Sequence, residues 1–358
     1  MKKIKSDAVV PTPVANRRDQ SFQEIAQDEI PLIDLSNAFL PSGRVNTKKA
    51  REIRDACTTI GFFYIINHGI PQSQINRAIR HSRDFFNLPD SVKLRYDINR
   101  LKRHRGYVPI GALSADPDLI DYQEGYEVGL ELSESDPDYQ AGSCLFGPNV
   151  WPREIENFQT DVYAYFEAVF ALGKRLFELF AVSLDLPQNY FLQYVNKPVA
   201  QLRLLYYPES DIGSSAELTN GVGPHTDYEC FTMLYQTDIG LQVQNPTGDW
   251  IMAPPVEGAF VINIGDTLQR WTNDLFKSTP HRVISNTGKA RYSMPFFFAA
   301  DHDCIVKPLP KFVSEDNPSR YPPTHTGYWI ENMHTYSYRY RWHERGKLPN
   351  PELDAENY

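Results

Sequence analysis

The chain has 358 residues, 13% of them aromatic and 27 of them proline, and a formal net charge of -9 from 36 basic and 45 acidic side chains. That length can bury a large core, as one big domain or two ordinary ones, while the acidic balance gives no electrostatic reason to expect nucleic acid or an anionic membrane as partner. A small-molecule ligand is the expectation that remains, with oligomeric state left open.

The opening, MKKIKSDAVVPTPVANRRDQ, has the basic start of a signal peptide but lacks its continuous apolar segment, so residues 1–25 read as a flexible arm. No later stretch has the uninterrupted apolar length of a membrane span. Cys57, Cys144, Cys230 and Cys304 lie far apart without a CxxC pair, the pattern of reduced thiols in a cytoplasmic protein.

A first strand is expected over Ile30 to Ser36, then a helix from Thr47 with Ala50, Ile53, Cys57 and Ile60 on one face and Gly61 as its cap. The apolar run Phe62 to Ile66 predicts a strand buried on both faces. Ile75, Ile79 and Phe86 place a second helix ahead of Pro89. From about Asn99 to Pro152 the chain is rich in Gly, Pro, Asp and Ser and reads as long loops near a ligand, with only YEVGLEL extended.

The longest helical signal follows, with Ile155, Phe158, Val162, Phe166, Val169, Gly173, Phe177, Phe180 and Leu184 three or four residues apart, Pro152 in its first turn and Pro187 at its end. After it the pattern shortens to QLRLLYYP, CFTMLYQ, GLQVQ, GAFVINIGD, STPHRVI and RYSMPFFFAA, strand-like pieces separated by turn signals. Helices first and an antiparallel sandwich or barrel second predict an α+β fold around one core. The segment TGYWIENMHTYSYRYRW suggests a terminal helix, and the tail from Pro349 is expected to be loose. Residues 26–150, 151–345 and 346–358 are the expected N-terminal region, long helix with β-core, and tail.

Within this pattern, His225 and Asp227 stand two residues apart ahead of a strand, so an imidazole and a carboxylate face one point. Such a pair alone is more often a plain hydrogen-bonded couple. His281, at the start of another strand-like piece, is the best third partner, although by itself it reads as a capping or buried histidine. Two imidazoles and a carboxylate take one face of an octahedral ion and leave three positions open, the arrangement of non-haem Fe(II) oxygenases.

Arg291 and Ser293 repeat the two-residue spacing in an apolar strand, where a guanidinium needs an anion. A carboxylate of a dicarboxylic acid is the natural partner. Tyr207 is a candidate third donor, or an ordinary sheet tyrosine. His68 and Asp266 read as structural, and the irregular spacing of His302, His325, His334 and His343 suits surface or core roles.

In this order, IPLIDLS, GFFYIINHGIP, FFNLP, LRLLYYP, PHTDY, GLQVQ, NIGD, STPHRV and RYSMPFFF make the chain resemble the Fe(II)/2-oxoglutarate-dependent oxygenases of the isopenicillin N synthase-like family. The resemblance covers most of the chain and implies a double-stranded β-helix, or jelly-roll, core with a helical N-terminal region and a long supporting helix. It implies Fe(II) held by His225, Asp227 and His281, 2-oxoglutarate held by Arg291, Ser293 and Tyr207, and O2 as oxidant. The expected reaction oxidises a small organic metabolite, usually by hydroxylation, with release of succinate and CO2. Leu205 stands where many plant members carry asparagine.

Tyr107, Phe231, Phe296 and Phe298 are expected in the substrate pocket, together with the loop from Tyr107 to Glu131 and the C-terminal segment. Two other readings stay open. One is an oxidase on the same scaffold that uses Fe(II) and O2 without 2-oxoglutarate, as isopenicillin N synthase does; the absence of any glutamine after Gln269 weighs against it. The other is a binding protein with a structural metal site, for which three ligands are one too few.

Overall fold

The computed structural model describes residues 29–101, 103–113, 121–209, 220–284 and 288–353. The expected arm over residues 1–25 lies outside them.

Strand β1 (Leu32–Asp34) is followed by helix α1 (Thr47–Thr59), which Asn46 starts by accepting the Lys48 N–H at 3.0 Å. The helix buries Ala50, Ile53, Ala56 and Cys57. Gly61 then turns the chain at φ +69°, and a Cβ there would meet the Lys277 carbonyl oxygen at 2.0 Å, so both backbone angle and space require glycine. Strand β2 (Phe62–Ile66) and helix α2 (Gln72–Phe86) follow as the hydrophobic spacing predicts.

The loop-rich stretch is more regular than its composition suggests. It contributes β3 (Gly106–Val108) and β4 (Glu124–Gly129), which pair with each other and join the main sheet through β5 (Pro198–Tyr207). The long helix α3 (Phe158–Ser183) begins six residues after Pro152 rather than around it. Asn157 adopts φ +60° and breaks the run, while the Arg153 N–H is held by the Tyr96 hydroxyl at 3.1 Å instead of helical bonding.

The remaining strands are β6 (Asn220–His225), β7 (Phe231–Gln236), β8 (Leu241–Gln244), β9 (Trp250–Met252), β10 (Phe260–Ile264), β11 (His281–Ile284) and β12 (Arg291–Asp301). A short helix, α4 (Asp266–Trp271), follows β10. One sheet runs β1-β2-β10-β7-β12-β5-β4-β3 and a second runs β6-β11-β8-β9. Leu205, Tyr207, Leu241, Val243, Val261 and Val283 form an apolar cluster contributed by both sheets, and the two sheets make the jelly-roll core.

The two faces of the large sheet are distinct, because side chains alternate along each strand. Phe231, Met233, Ile262, Met294, Phe296 and Phe298 share a core with Phe166, Val169, Leu176, Phe177 and Phe180 of α3. The opposite face looks into a cavity.

Helix α5 (Thr326–Ser337) follows as the C-terminal sequence predicts. The tail is not loose over its described part: Thr324 pairs with Glu352, and the Leu353 N–H reaches the Pro323 carbonyl at 2.7 Å. All four cysteines are free, and among the described residues no helix is long and apolar enough to cross a membrane.

Candidate active site

The cavity has a volume of about 490 Å³ and lies against the inner faces of both sheets. His225 ends β6 and His281 begins β11, and the antiparallel register sets them directly opposite one another. Asp227 follows two residues later. The Nε2 atoms of His225 and His281 lie 3.7 and 3.6 Å from Asp227 Oδ1, and the three groups offer donor atoms within 4.8 Å of one another.

The other edge of each group is held by a hydrogen bond. His225 Nδ1 lies 2.8 Å from the Gly223 carbonyl oxygen and His281 Nδ1 lies 3.1 Å from that of Thr279, so each ring donates there and leaves Nε2 free. Asp227 Oδ2 accepts from Asn263 Nδ2 at 2.7 Å and from the Thr232 hydroxyl, which leaves Oδ1 toward the rings. Loss of solvent and the neighbouring His281 push His225 down to about 4, so it is neutral near pH 7. Burial alone would raise Asp227, but His281, His225, Thr232 and Asn263 outweigh it and hold the carboxyl below its ordinary value. Two imidazole nitrogens and one carboxylate oxygen converge as a divalent first-row metal requires.

Arg291 begins β12 on the cavity face and is 2% exposed. Its guanidinium donates to Gln236 Oε1 at 2.8 Å, to Ser293 Oγ at 3.3 Å and to the Asp238 carbonyl at 3.2 Å, and lies 4.8 Å from the centre of the Tyr207 ring. Tyr207 is its cross-strand partner. Among the described residues no carboxylate forms an ion pair with it. A buried cation with neutral partners only, in the same cavity as the His-Asp-His cluster, fits an anionic ligand.

The four aromatic residues expected in the substrate pocket lie elsewhere. Phe231, Phe296 and Phe298 occupy the opposite sheet face: Phe231 stacks on Phe298 at 5.6 Å, and Phe296 meets Phe166 at 5.0 Å. Strand parity is the reason, since Arg291 and Ser293 share their face with Pro295 and Phe297, not with the even-numbered phenylalanines. Tyr107 is 4% exposed and donates to Glu124 Oε2 at 2.6 Å, in an aromatic cluster around Phe85.

Instead, Phe297 lines the cavity with Leu205, Arg203 and Glu229, and with Asp121 and Gln123 from the loop between Tyr107 and Glu131. Counting back by twos from Tyr207 would have found Arg203. Arg203 is charge-paired, its Nε donating to Glu127 Oε1 at 2.7 Å, and Tyr338 donates to the same oxygen at 2.8 Å. Met333, Tyr336 and Ser337 of α5 complete the wall. The α5 residue Trp329 donates to the Tyr228 carbonyl at 3.1 Å, fixing the helix to the segment after Asp227. Asp266 lies outside the cluster, accepting from Ser278 and Thr226, and His68 sits between the Gly258 carbonyl and the Ile70 N–H.

Residues 30–154 match the family described as non-haem dioxygenase in morphine synthesis, N-terminal, and residues 198–300 match the 2OG-Fe(II) oxygenase superfamily. The 2-oxoglutarate-Fe(II) type oxidoreductase hxnY of Emericella nidulans is 33% identical over 317 residues, covering 86% of this chain and 90% of its own length. The 2-oxoglutarate-Fe(II) type oxidoreductase ppzC of Metarhizium majus is 37% identical over 329 residues, covering 86% and 87%. Among solved structures, a full-length Neurospora crassa protein in complex with alpha-KG and thymine superposes with a TM-score of 0.74 at 30% identity, over 85% of this chain and 96% of that one. These relatives set aside an oxidase independent of 2-oxoglutarate and a purely structural metal site. The chain belongs to the Fe(II)/2-oxoglutarate-dependent oxygenases of the isopenicillin N synthase-like family, and is a dioxygenase whose cofactors are Fe(II), 2-oxoglutarate and O2.

Proposed function

We propose that this dioxygenase hydroxylates a small organic metabolite, with His225, Asp227 and His281 holding Fe(II) and with Arg291, Ser293 and Tyr207 holding the distal carboxylate of 2-oxoglutarate. The observation that carries the reading is Arg291: a buried guanidinium without a carboxylate partner among the described residues, facing the cavity that also contains the His-Asp-His cluster. Bound Fe(II) and 2-oxoglutarate supply the oxidising chemistry, with succinate and CO2 as co-products. The chain's own task is to orient and to exclude water. Thr232 and Asn263 fix the Asp227 carboxylate, two backbone carbonyls fix the imidazole tautomers, and Gln236 aims the guanidinium. No protein acid or base is needed.

Anaerobic titration of the Fe(II) protein with 2-oxoglutarate tests the assignment. A visible charge-transfer band should appear, and admitting air should yield succinate. Replacing Arg291→Ala should raise the 2-oxoglutarate concentration needed for the band by about 100-fold or more, in line with loss of a charge-assisted bidentate contact, while Fe(II) still binds. An unchanged requirement would remove Arg291 from the cosubstrate site.

A further inference from the structure

Two side chains ahead of β4 have polar groups that neither the metal cluster nor the cosubstrate anchor uses. Asp121 and Gln123 stand two residues apart in the segment entering β4, the spacing at which extended chain puts side chains on one face, and both line the cavity. Gln123 is 3% exposed, yet neither its amide nitrogen nor its amide oxygen has a hydrogen-bond partner. Asp121 is 6% exposed and accepts from the Gly223 N–H at 3.2 Å. Among the described residues it forms no ion pair. A buried amide with both ends unsatisfied is rare in a folded protein and marks a place where a partner belongs.

The charges around the cavity restrict that partner. Arg203 is already neutralised by Glu127, and Arg291 faces the cosubstrate end. Asp121 and Glu229 are cavity-lining carboxyls with no cation paired to them among the described residues, and Glu229 Oε2 is a further buried oxygen without a partner. A carboxylate substrate would meet the unpaired Asp121 beside the Gln123 amide. An N–H donor would satisfy Asp121, and a neighbouring pair of one donor and one acceptor would satisfy both ends of the Gln123 amide.

We infer that the substrate is a neutral molecule with two N–H donors beside a carbonyl, as in a ureide or a primary carboxamide, recognised by Asp121 and Gln123. This rests on the cavity being the chamber that holds Fe(II), cosubstrate and substrate together.

The test uses the full-length Fe(II) enzyme with 2-oxoglutarate under anaerobic conditions and three probes of similar shape: quinazoline-2,4-dione, quinoline and 2-naphthoate. Binding is read from perturbation of the charge-transfer band and, independently, from tryptophan fluorescence. Quinazoline-2,4-dione, a cyclic ureide with two N–H donors, should bind at least tenfold tighter than either other probe. Asp121→Ala and Gln123→Leu should each weaken it at least tenfold while leaving the affinity for 2-oxoglutarate as it was. Equal or tighter binding of 2-naphthoate or quinoline overturns the inference, as does failure of quinazoline-2,4-dione to bind at millimolar concentration. So does a Gln123→Leu enzyme that loses affinity for 2-oxoglutarate alone, which would give the amide to the cosubstrate. If the band itself never forms, the proposed cosubstrate site fails, and fluorescence still decides whether the ureide binds.

Discussion

At the scale of single residues, the metal cluster depends on side chains that touch no metal. Asp227 has one oxygen tied to Asn263 and Thr232, and only that restraint keeps the other oxygen between the two imidazoles. A carboxylate without those donors can rotate and present either oxygen, and its negative charge loses two hydrogen bonds that hold it in the ionised form. Thr232→Val and Asn263→Leu should therefore each lower Fe(II) affinity by about 10- to 100-fold, measured by competition with a chelator, with the far-ultraviolet spectrum unchanged. Equal affinity in both variants would mean that packing alone orients Asp227. Neither residue stands out in the sequence, because Thr232 sits inside an ordinary apolar strand and Asn263 inside VINIG. Each is found only by asking which strand positions share the cavity face.

At the scale of elements, that same parity separates what is legible in the sequence from what is not. The two-residue spacings of His225 with Asp227 and of Arg291 with Ser293 follow from strand geometry and need only the strands to be recognised. The meeting of His281 with His225 is a non-local register, set by the pairing of β11 with β6 across four intervening strands, and no local pattern contains it. The pocket phenylalanines are misplaced for a different reason: aromatic residues near a motif suggest pocket walls, whereas alternation from Arg291 already puts Phe297 on the cavity face and Phe298 on the helix face. The start of α3 is displaced because one left-handed residue, Asn157, outweighs an otherwise helical spacing. These placements make a paired test. Phe298 packs against Phe170, Phe177 and Phe231, and the α3 glycine Gly173 has no room for a Cβ, which would lie 2.4 Å from the Phe298 ring. Phe298→Ala should cost about 3–5 kcal/mol of stability with the cavity wall intact. Phe297→Ala should cost clearly less in urea unfolding and instead alter binding of the organic substrate. The reverse pattern would mean the sheet faces are assigned wrongly.

At the scale of the whole molecule, the N-terminal region and the jelly-roll core share one large sheet. Four of the eight strands in the large sheet, β1 to β4, come from before residue 150. β2 covers one edge of β10, and β4 covers one edge of β5. Removing them would expose two rows of backbone N–H and C=O groups flanked by apolar side chains, a template for aggregation rather than a stable domain boundary. α1 and α2 also pack on α3, which itself supports β7 and β12. The division at residue 150 should therefore describe sequence families and not folding units. The full chain should unfold in one calorimetric transition, with calorimetric and van't Hoff enthalpies in agreement, and a fragment starting at residue 151 should be insoluble or unfolded. Fe(II) with 2-oxoglutarate should move that single transition upward as a whole, since ligands that bind only the folded chain stabilise everything that folds with their site. Two resolved transitions, with only one shifted by ligand, would show instead that the N-terminal region and the core fold independently.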